Sequence, residues 1–266
     1  MLVTTQSTKQ AIANRFSRSA HRYDQAATVQ RQVGQLLMKQ LLGHCFGDKE
    51  CILDLGGGSG FYVQQLARQF PQQSLIYLDI AASMSQFAKR QCQKHQALFL
   101  QADFDHIPLA DHSVAQIFSN MTLQWSLDFM TTLTELKRIM TPTAQLNFSL
   151  PVAGTLWELD YSCQRDASYS CVNDFMSPSQ VVEYLEQAGF VLQQELKQEV
   201  VYYYPDVVSL LRQLRDIGAN SLTHTTSRYY GKQFMRELIQ TYETFRCSQG
   251  LPVTYQIFYG AAQCKP

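Results

Sequence analysis

The sequence contains no run of about 18 apolar residues that would cross a bilayer, and its start lacks the apolar core of a secretion signal. A cytoplasmic protein with no membrane partner is therefore expected. Neither sign of charge is in excess: 22 Lys and Arg face 22 Asp and Glu, so the overall charge gives no reason to expect a nucleic-acid partner. The cysteines (Cys45, Cys51, Cys92, Cys163, Cys171, Cys247, Cys264) form no C-x-x-C pair, and reduced thiols are expected. The histidines (His21, His44, His95, His106, His112, His224) show no ligand spacing; they are expected at the surface or in loops, with no metal site. There is no internal repeat, no low-complexity tract, and no nucleophile/His/Asp set of the kind an acyl hydrolase needs.

What is present begins at Leu53-Asp54-Leu55-Gly56-Gly57-Gly58-Ser59-Gly60, an apolar run that ends on an acid and breaks into glycines. Cys51 to Leu55 reads as a short buried parallel strand, and Phe61 to Phe70 has helical spacing in Val63, Leu66, Ala67 and Phe70. The glycines therefore sit at a strand-to-helix turn, where backbone approaches a ligand closely and the helix start offers free N–H groups. The dinucleotide fingerprint needs Gly or Ala at the sixth residue from the first glycine, where Phe61 stands, and no Gly-Lys-Ser/Thr follows. Nicotinamide and ATP loops fit poorly. The remaining pattern, Asp54, Gly56, Gly58, Gly60, resembles motif I of the class I S-adenosylmethionine-dependent methyltransferases.

Later strands carry the residues such a site needs. Ser74 to Asp79 ends on an acid 19 residues past Gly60, a separation that suits a ribose ligand, which makes Asp79 the candidate. Met84 lies either against the adenine face or in the core at the head of a helix. Ala97 to Leu100 runs into Gln101-Ala102-Asp103-Phe104, where the resemblance implies an acid, Asp103, that accepts from the adenine amino group, with Phe104 beside it. Val114 to Phe118 leads to Ser119 and Asn120, expected to face the transferred methyl beyond the strand end. Asn120-Met121-Thr122-Leu123 is not the acid-or-Asn, Pro, Pro, aromatic run of base-methylating enzymes.

The fold expected is α/β: a Rossmann-like, seven-stranded, mostly parallel sheet with an antiparallel last strand, a helical N-terminal preface and a helical cap. Residues 9–43 are predicted helical with a break near Asp24, and residues 1–45 are expected to form a lid. Further strands are predicted at Ala144–Leu150, after a turn at Thr141-Pro142, from Phe190, and at Tyr255–Tyr259, with a helix over Val181–Ala188. Residues 1–204 and 250–266 are expected to form the cofactor-binding domain, and 205–249, helical with Val208, Leu211, Leu214 and Ile217 in step, the cap.

Over nearly its whole length the chain resembles the malonyl-acyl-carrier-protein O-methyltransferases of biotin synthesis, the BioC family. The matching segments are Phe16-x6-Tyr23-Asp24-x5-Gln30, Ser119-Asn120-x3-Gln124-Trp125, Gly154-Thr155-Leu156-x-Glu158-Leu159, Ile217-Gly218-Ala219 and Gly250-Leu251-Pro252-Val253-Thr254-Tyr255. Gly57 stands where that family usually has Cys, and the change is expected to be tolerated. The resemblance implies S-adenosylmethionine as cofactor and methyl transfer to the free carboxylate of a malonyl thioester. That carboxylate is already ionised at neutral pH, so orientation and not acid/base chemistry should carry the reaction. Tyr23 and Phe16 on one helix face are candidates for a lid, with a core stripe as the alternative, and Trp125 is a candidate pocket wall. Arg212, Arg215, Arg228, Arg236 and Arg246 are candidates for gripping the carboxylate, Arg246 foremost. Arg15, Arg18 and Arg22 have one-face helical spacing and form either a docking face for an acidic carrier protein or a solvated surface. Two other readings stay open: a class I methyltransferase of another small molecule, such as a quinone precursor or fatty acid, and a non-catalytic S-adenosylmethionine-binding subunit.

Overall fold

The computed structural model describes residues 5–41, 47, 50–93, 96–163, 171–218 and 231–265. His44, Cys45, His95, Ala219, His224, Arg228 and the predicted helical stretch between 219 and 230 lie outside the described residues.

Four of the five residues of β1 (Cys51–Leu55) are buried, because the strand is covered on both faces. It pairs in parallel with β2 (Ser74–Asp79) and β4 (Val114–Asn120), aligning Leu53 with Ile76 and with Ile117. β3 (Ala97–Gln101), β5 (Met140–Pro151), β6 (Phe190–Tyr204) and β7 (Leu251–Cys264) complete a seven-stranded sheet of order β3-β2-β1-β4-β5-β7-β6. β7 runs antiparallel between β5 and β6. This is the Rossmann-like α/β sheet the sequence predicts. Its order reverses between β1 and β4, so a crevice opens there beyond the carboxyl ends of the strands.

Helices cover both faces. α1 (Thr5–Ala26) and α2 (Thr28–Leu41) are separated at Ala27, and α2 buries Val29, Val33, Leu37 and Leu41, spaced four apart, against the sheet. α3 (Phe61–Gln69) and α4 (Ala82–Gln91) follow β1 and β2. α5 (Phe129–Ile139) starts on the Asp128 carboxylate, which accepts from the Met130 and Thr131 N–H groups. α6 (Trp157–Cys163) and α7 (Pro178–Gln187) come next, the latter opened by a Ser177/Gln180 capping box with Pro178 at its first position. α8 (Val207–Asp216) and α9 (Lys232–Tyr242) lie between β6 and β7, which pair from Tyr204↔Leu251 onward. Among the described residues no helix is long and apolar enough to cross a membrane.

Two expectations are corrected. Thr141-Pro142 is not a turn: the strand continues through it as a bulge, with Met140 opposite Val114 and Gln145 opposite Gln116, and proline is tolerated where no ladder N–H is required. The cysteines are not all reduced: Cys163, at the end of α6, is disulfide-bonded to Cys171, their Cα atoms 6.0 Å apart, because the chain returns to the same wall eight residues later.

Candidate active site

The turn after β1 is tied to β2 through backbone: Gly56 and Gly57 donate their N–H groups to the Leu78 carbonyl at 2.8 and 3.1 Å. Gly56, Gly58 and Gly60 have φ of 70°, 52° and 80°, a region that side chains with a Cβ rarely occupy. At Gly56 a Cβ would also collide with Thr122, so the loop between β4 and α5 lies directly on the glycines. α3 then begins without a side-chain cap from Gly60, and the N–H of Val63, in its first turn, bonds the Asp54 carboxylate.

Two acids converge on this loop. Asp79 accepts from Gly58 N at 3.0 Å and from Ala81 N at 2.8 Å. Burial pushes its pKa up to about 6 against the opposing pull of those two N–H groups. Asp54 is buried, and its Oδ2 has no hydrogen-bond partner. Burial first, then the Asp79 charge, push it up to about 8, opposed by the Val63 N–H. A buried carboxylate with an orphaned oxygen beside a positive-φ glycine loop fits a cationic ligand group. Arg31 of α2 joins them. It contacts Asp24 at 2.6 Å, lies 4.9 Å over the Phe61 ring, and lines the same small recess as Asp54, Gly58 and Ser59.

Next to that recess is a narrow cleft of about 60 Å³ walled by Gly56, Gly58, Asp79, Ile80, Phe104 and Asn120. Asn120 is held from two sides, its Nδ2 donating to Gln30 O at 2.9 Å and its Oδ1 accepting from Ser149 Oγ at 2.9 Å. Tyr23 lies over the loop, 3.5 Å from where a Cβ on Gly58 would stand. Burial raises its phenol pKa first, and the Asp79 and Asp24 charges raise it further, so it stays neutral. Phe16 meets Trp125 edge to face with centroids 5.2 Å apart.

Phe16, Tyr23, Met121 and Trp125 also belong to the wall of a larger cavity of about 300 Å³. It is roofed by Leu211, Leu214 and Ile217 from α8 and just after it, and by Phe234, Met235 and Leu238 of α9. Met121 (φ 50°) and Leu156 (φ 58°), two non-glycine residues held in the left-handed region, both line it.

The remaining predicted residues sit elsewhere. Met84 is fully buried against Ala20 and Ala81 and lines neither the cleft nor the cavity; its place is in the core. Asp103 precedes Phe104 but is not part of the cleft wall: its carboxylate lies 2.7 Å from Lys9 Nζ and accepts from Asp105 N at 3.0 Å. Arg246 is absent from the cavity wall: its Nε and Nη2 donate to the Glu243 carboxylate, three residues earlier, at 2.6 and 2.8 Å, and Nη2 also donates to the Pro205 carbonyl at 3.0 Å. Arg212, Arg215 and Arg236 are exposed. On α1, Arg18 and Arg22 are exposed, Arg22 reaching Asp216 at 3.5 Å, and Arg15 is half-buried. Sequence reasoning missed Arg31, Ile80 and Tyr255, of which only Tyr255 lay in a quoted motif. No group of His, Cys, Asp or Glu among the described residues could hold a metal ion.

Residues 53–148 match the methyltransferase domain family. The chain is 32% identical over 96% of its length to a malonyl-acyl-carrier-protein O-methyltransferase of Gallionella capsiferriformans, covering 90% of that protein. It is 31% identical over 97% of its length to a bifunctional biotin biosynthesis protein of Cellvibrio japonicus, BioHC, covering 50% of that protein. Among solved structures it resembles a methyltransferase from Bacillus halodurans, with a TM-score of 0.61, 15% identity and coverage of 86% of this chain and 99% of that one, a likeness of fold. With that extent of identity to whole relatives, and with the glycine loop, acids and roofed cavity in place, the chain belongs to the malonyl-acyl-carrier-protein O-methyltransferase family.

Proposed function

We infer that this chain transfers the methyl group of S-adenosylmethionine to the free carboxylate of a malonyl thioester, a step of biotin synthesis. The observation that carries the reading is the joining of two chambers: a narrow glycine-and-acid cleft meets a larger apolar cavity across Phe16, Tyr23, Met121 and Trp125. One chamber suits a nucleoside, and the other an acyl thioester.

The cofactor fits the residues present. Asp79 suits the ribose hydroxyls and Ile80 and Phe104 the adenine faces, all three lining the cleft, while Asp103, next to Phe104 in sequence, is given the amino edge by the family resemblance. Asp54 suits the ammonium and Arg31 the carboxylate of the amino-acid end. When bound, the cofactor supplies a methyl group on a sulfonium sulfur that leaves as a neutral thioether. The substrate carboxylate is ionised without help, so no proton has to move. The protein's task is to exclude water and align the carboxylate oxygen with the methyl carbon and sulfur, which the aromatic wall and the helical roof accomplish.

The segment 205–249, which carries α8 and α9, serves as a substrate cap and residues 1–45 as a lid. Exposed Arg18 and Arg22, with Arg15 beside them, suit an acidic carrier protein delivering the thioester. The test is incubation with methyl-labelled S-adenosylmethionine and malonyl carrier protein, followed by recovery of a base-labile methyl ester on the carrier. Absence of that ester from active, cofactor-binding protein overturns the reading.

A further inference from the structure

The larger cavity has an apolar wall in which three buried polar atoms lack a hydrogen-bond partner among the described residues: Tyr255 Oη, Gln30 Oε1 and Gln124 Oε1. Tyr255 is the most enclosed of the three, only 4% exposed, and sits on β7 opposite Val200 of β6, its ring perpendicular to that of Tyr202. An unpaired buried hydroxyl is costly, and one that faces a cavity calls for a partner that the protein itself does not supply.

The polarity of these groups differs. Gln124 donates its Nε2 to the Met121 carbonyl at 2.7 Å, so its free Oε1 is an acceptor, suited to an N–H and closed to a carboxylate. A phenol can donate. Burial holds the Tyr255 hydroxyl well above its ordinary pKa, so it carries its proton throughout the physiological range. The described wall of this cavity contains no lysine or arginine, and the arginine foremost in the sequence, Arg246, is committed to Glu243 outside it.

We propose that the Tyr255 hydroxyl is the donor that receives the carboxylate of the acyl substrate, so that the anion is oriented by a neutral phenol and not clamped by a guanidinium. The assignment rests on the function proposed above and names the substrate contact within that site. Its chemistry suits the reaction. A guanidinium would draw charge from the attacking oxygen, whereas one neutral hydrogen bond fixes the carboxylate and leaves the other oxygen its nucleophilic lone pairs.

The experiment compares wild type with Tyr255→Phe, which removes one oxygen and keeps the ring. The probes are malonyl-N-acetylcysteamine and its methyl ester, an analogue without the negative charge. Calorimetry on enzyme loaded with S-adenosylhomocysteine measures the preference for acid over ester, and steady-state kinetics measures KM and kcat for the acid. The expected result is a loss of acid affinity and a rise in KM of about tenfold or more, with ester and S-adenosylmethionine affinities within about twofold of wild type. A merely structural tyrosine would move acid and ester together. Acid preference and KM unchanged in Tyr255→Phe overturn the assignment even when wild type is fully active, leaving the methyltransferase reading intact. Wild type that prefers the acid but forms no ester, with the preference lost in the variant, supports the anion contact and overturns the activity instead. Wild type with no acid preference overturns the contact outright. Should Tyr255→Phe fail to fold, Tyr255→Met is read against the same outcomes.

Discussion

Tyr77 occupies the space that a side chain at position 57 would need. A Cβ on Gly57 would stand 2.5 Å from the Tyr77 ring and 2.8 Å from Asp54 Oδ2, while the Tyr77 hydroxyl donates to the Gly58 carbonyl at 2.7 Å. One buried ring on β2 therefore both fills the volume beside the cofactor loop and pins its backbone. At Gly57, where the family resemblance expects a cysteine, the space for a side chain is therefore taken by Tyr77.

The pairing predicts strong non-additivity. Gly57→Cys alone should lower stability by about 1–3 kcal/mol through overpacking against Tyr77 and weaken S-adenosylmethionine binding by displacing the loop. Tyr77→Ala alone should also destabilise, by opening a cavity and orphaning the Gly58 carbonyl. The double variant should be better than the sum of the two by at least about 1 kcal/mol, read from denaturant midpoints. Additive losses would mean that the two positions do not share the space.

As the proposed partner of the cofactor's ammonium, Asp54 should make cofactor binding pH-dependent. Its carboxyl, pushed up to about 8, is largely protonated at pH 7, and a bound ammonium beside it favours the ionised form. Binding should then release a proton, and affinity should climb as pH rises from 6 to 8 and level off above. The same shift acts on folding. Because the unfolded carboxyl titrates near 4, the folded ligand-free protein holds more protons between about pH 4 and 8 and loses stability as pH rises through that window. Asp54→Asn should therefore raise the melting temperature at pH 8, converge with wild type toward pH 4, and bind S-adenosylmethionine at least about tenfold more weakly. Calorimetry in two buffers of different ionisation heat measures the released proton; equal heats would contradict the assignment.

Most of the cofactor side was legible because its signals are local. An apolar strand must end somewhere, and Asp54 and Asp79 mark the ends of β1 and β2, with glycines adjoining where positive φ is required. Tyr23 and Phe16 read in sequence as a lid or a core stripe and Trp125 as a pocket wall, and the structure brings all three to one cleft. What sequence could not supply was tertiary placement. Arg31 reaches the glycine loop only because α2 packs across β4 and β5, and nothing local distinguishes it from any helical arginine. Arg246 has an acid three residues earlier, a helical-turn pair that takes it out of play, and Met84 follows the core face of α4. Tyr255 read as a strand residue, since a strand pattern does not reveal which buried side chain faces a cavity.

The basic face of α1 yields a prediction about the carrier. Arg18→Glu with Arg22→Glu should raise KM for malonyl carrier protein by about fivefold or more, with little effect on malonyl-coenzyme A and a weaker dependence on salt. Arg22 also contacts Asp216 of α8, so a thermal melt must accompany the kinetics. Equal loss on both substrates would assign the arginines to the cap and remove the docking surface.

Lys9 ties the lid to the sheet. Its ammonium is 2.7 Å from Asp103 Oδ2, bonds Asp105 as well, and lies 6.0 Å from the centre of the Phe104 ring that walls the cleft. Asp105 is buried and also accepts from Thr132 Oγ1, so α1 is fastened at one point to the end of β3 and the start of α5. Lys9→Met leaves that buried carboxylate without a cation and should destabilise the protein by about 2 kcal/mol or more. It should also free the start of α1 and weaken S-adenosylmethionine binding more than it lowers kcat at saturating cofactor. Pairing it with Asp105→Asn removes the stranded charge and should recover most of the stability but not the cofactor affinity, since the tether is still absent. Recovery of both would show that charge burial alone, and not attachment of the lid, explains the contact.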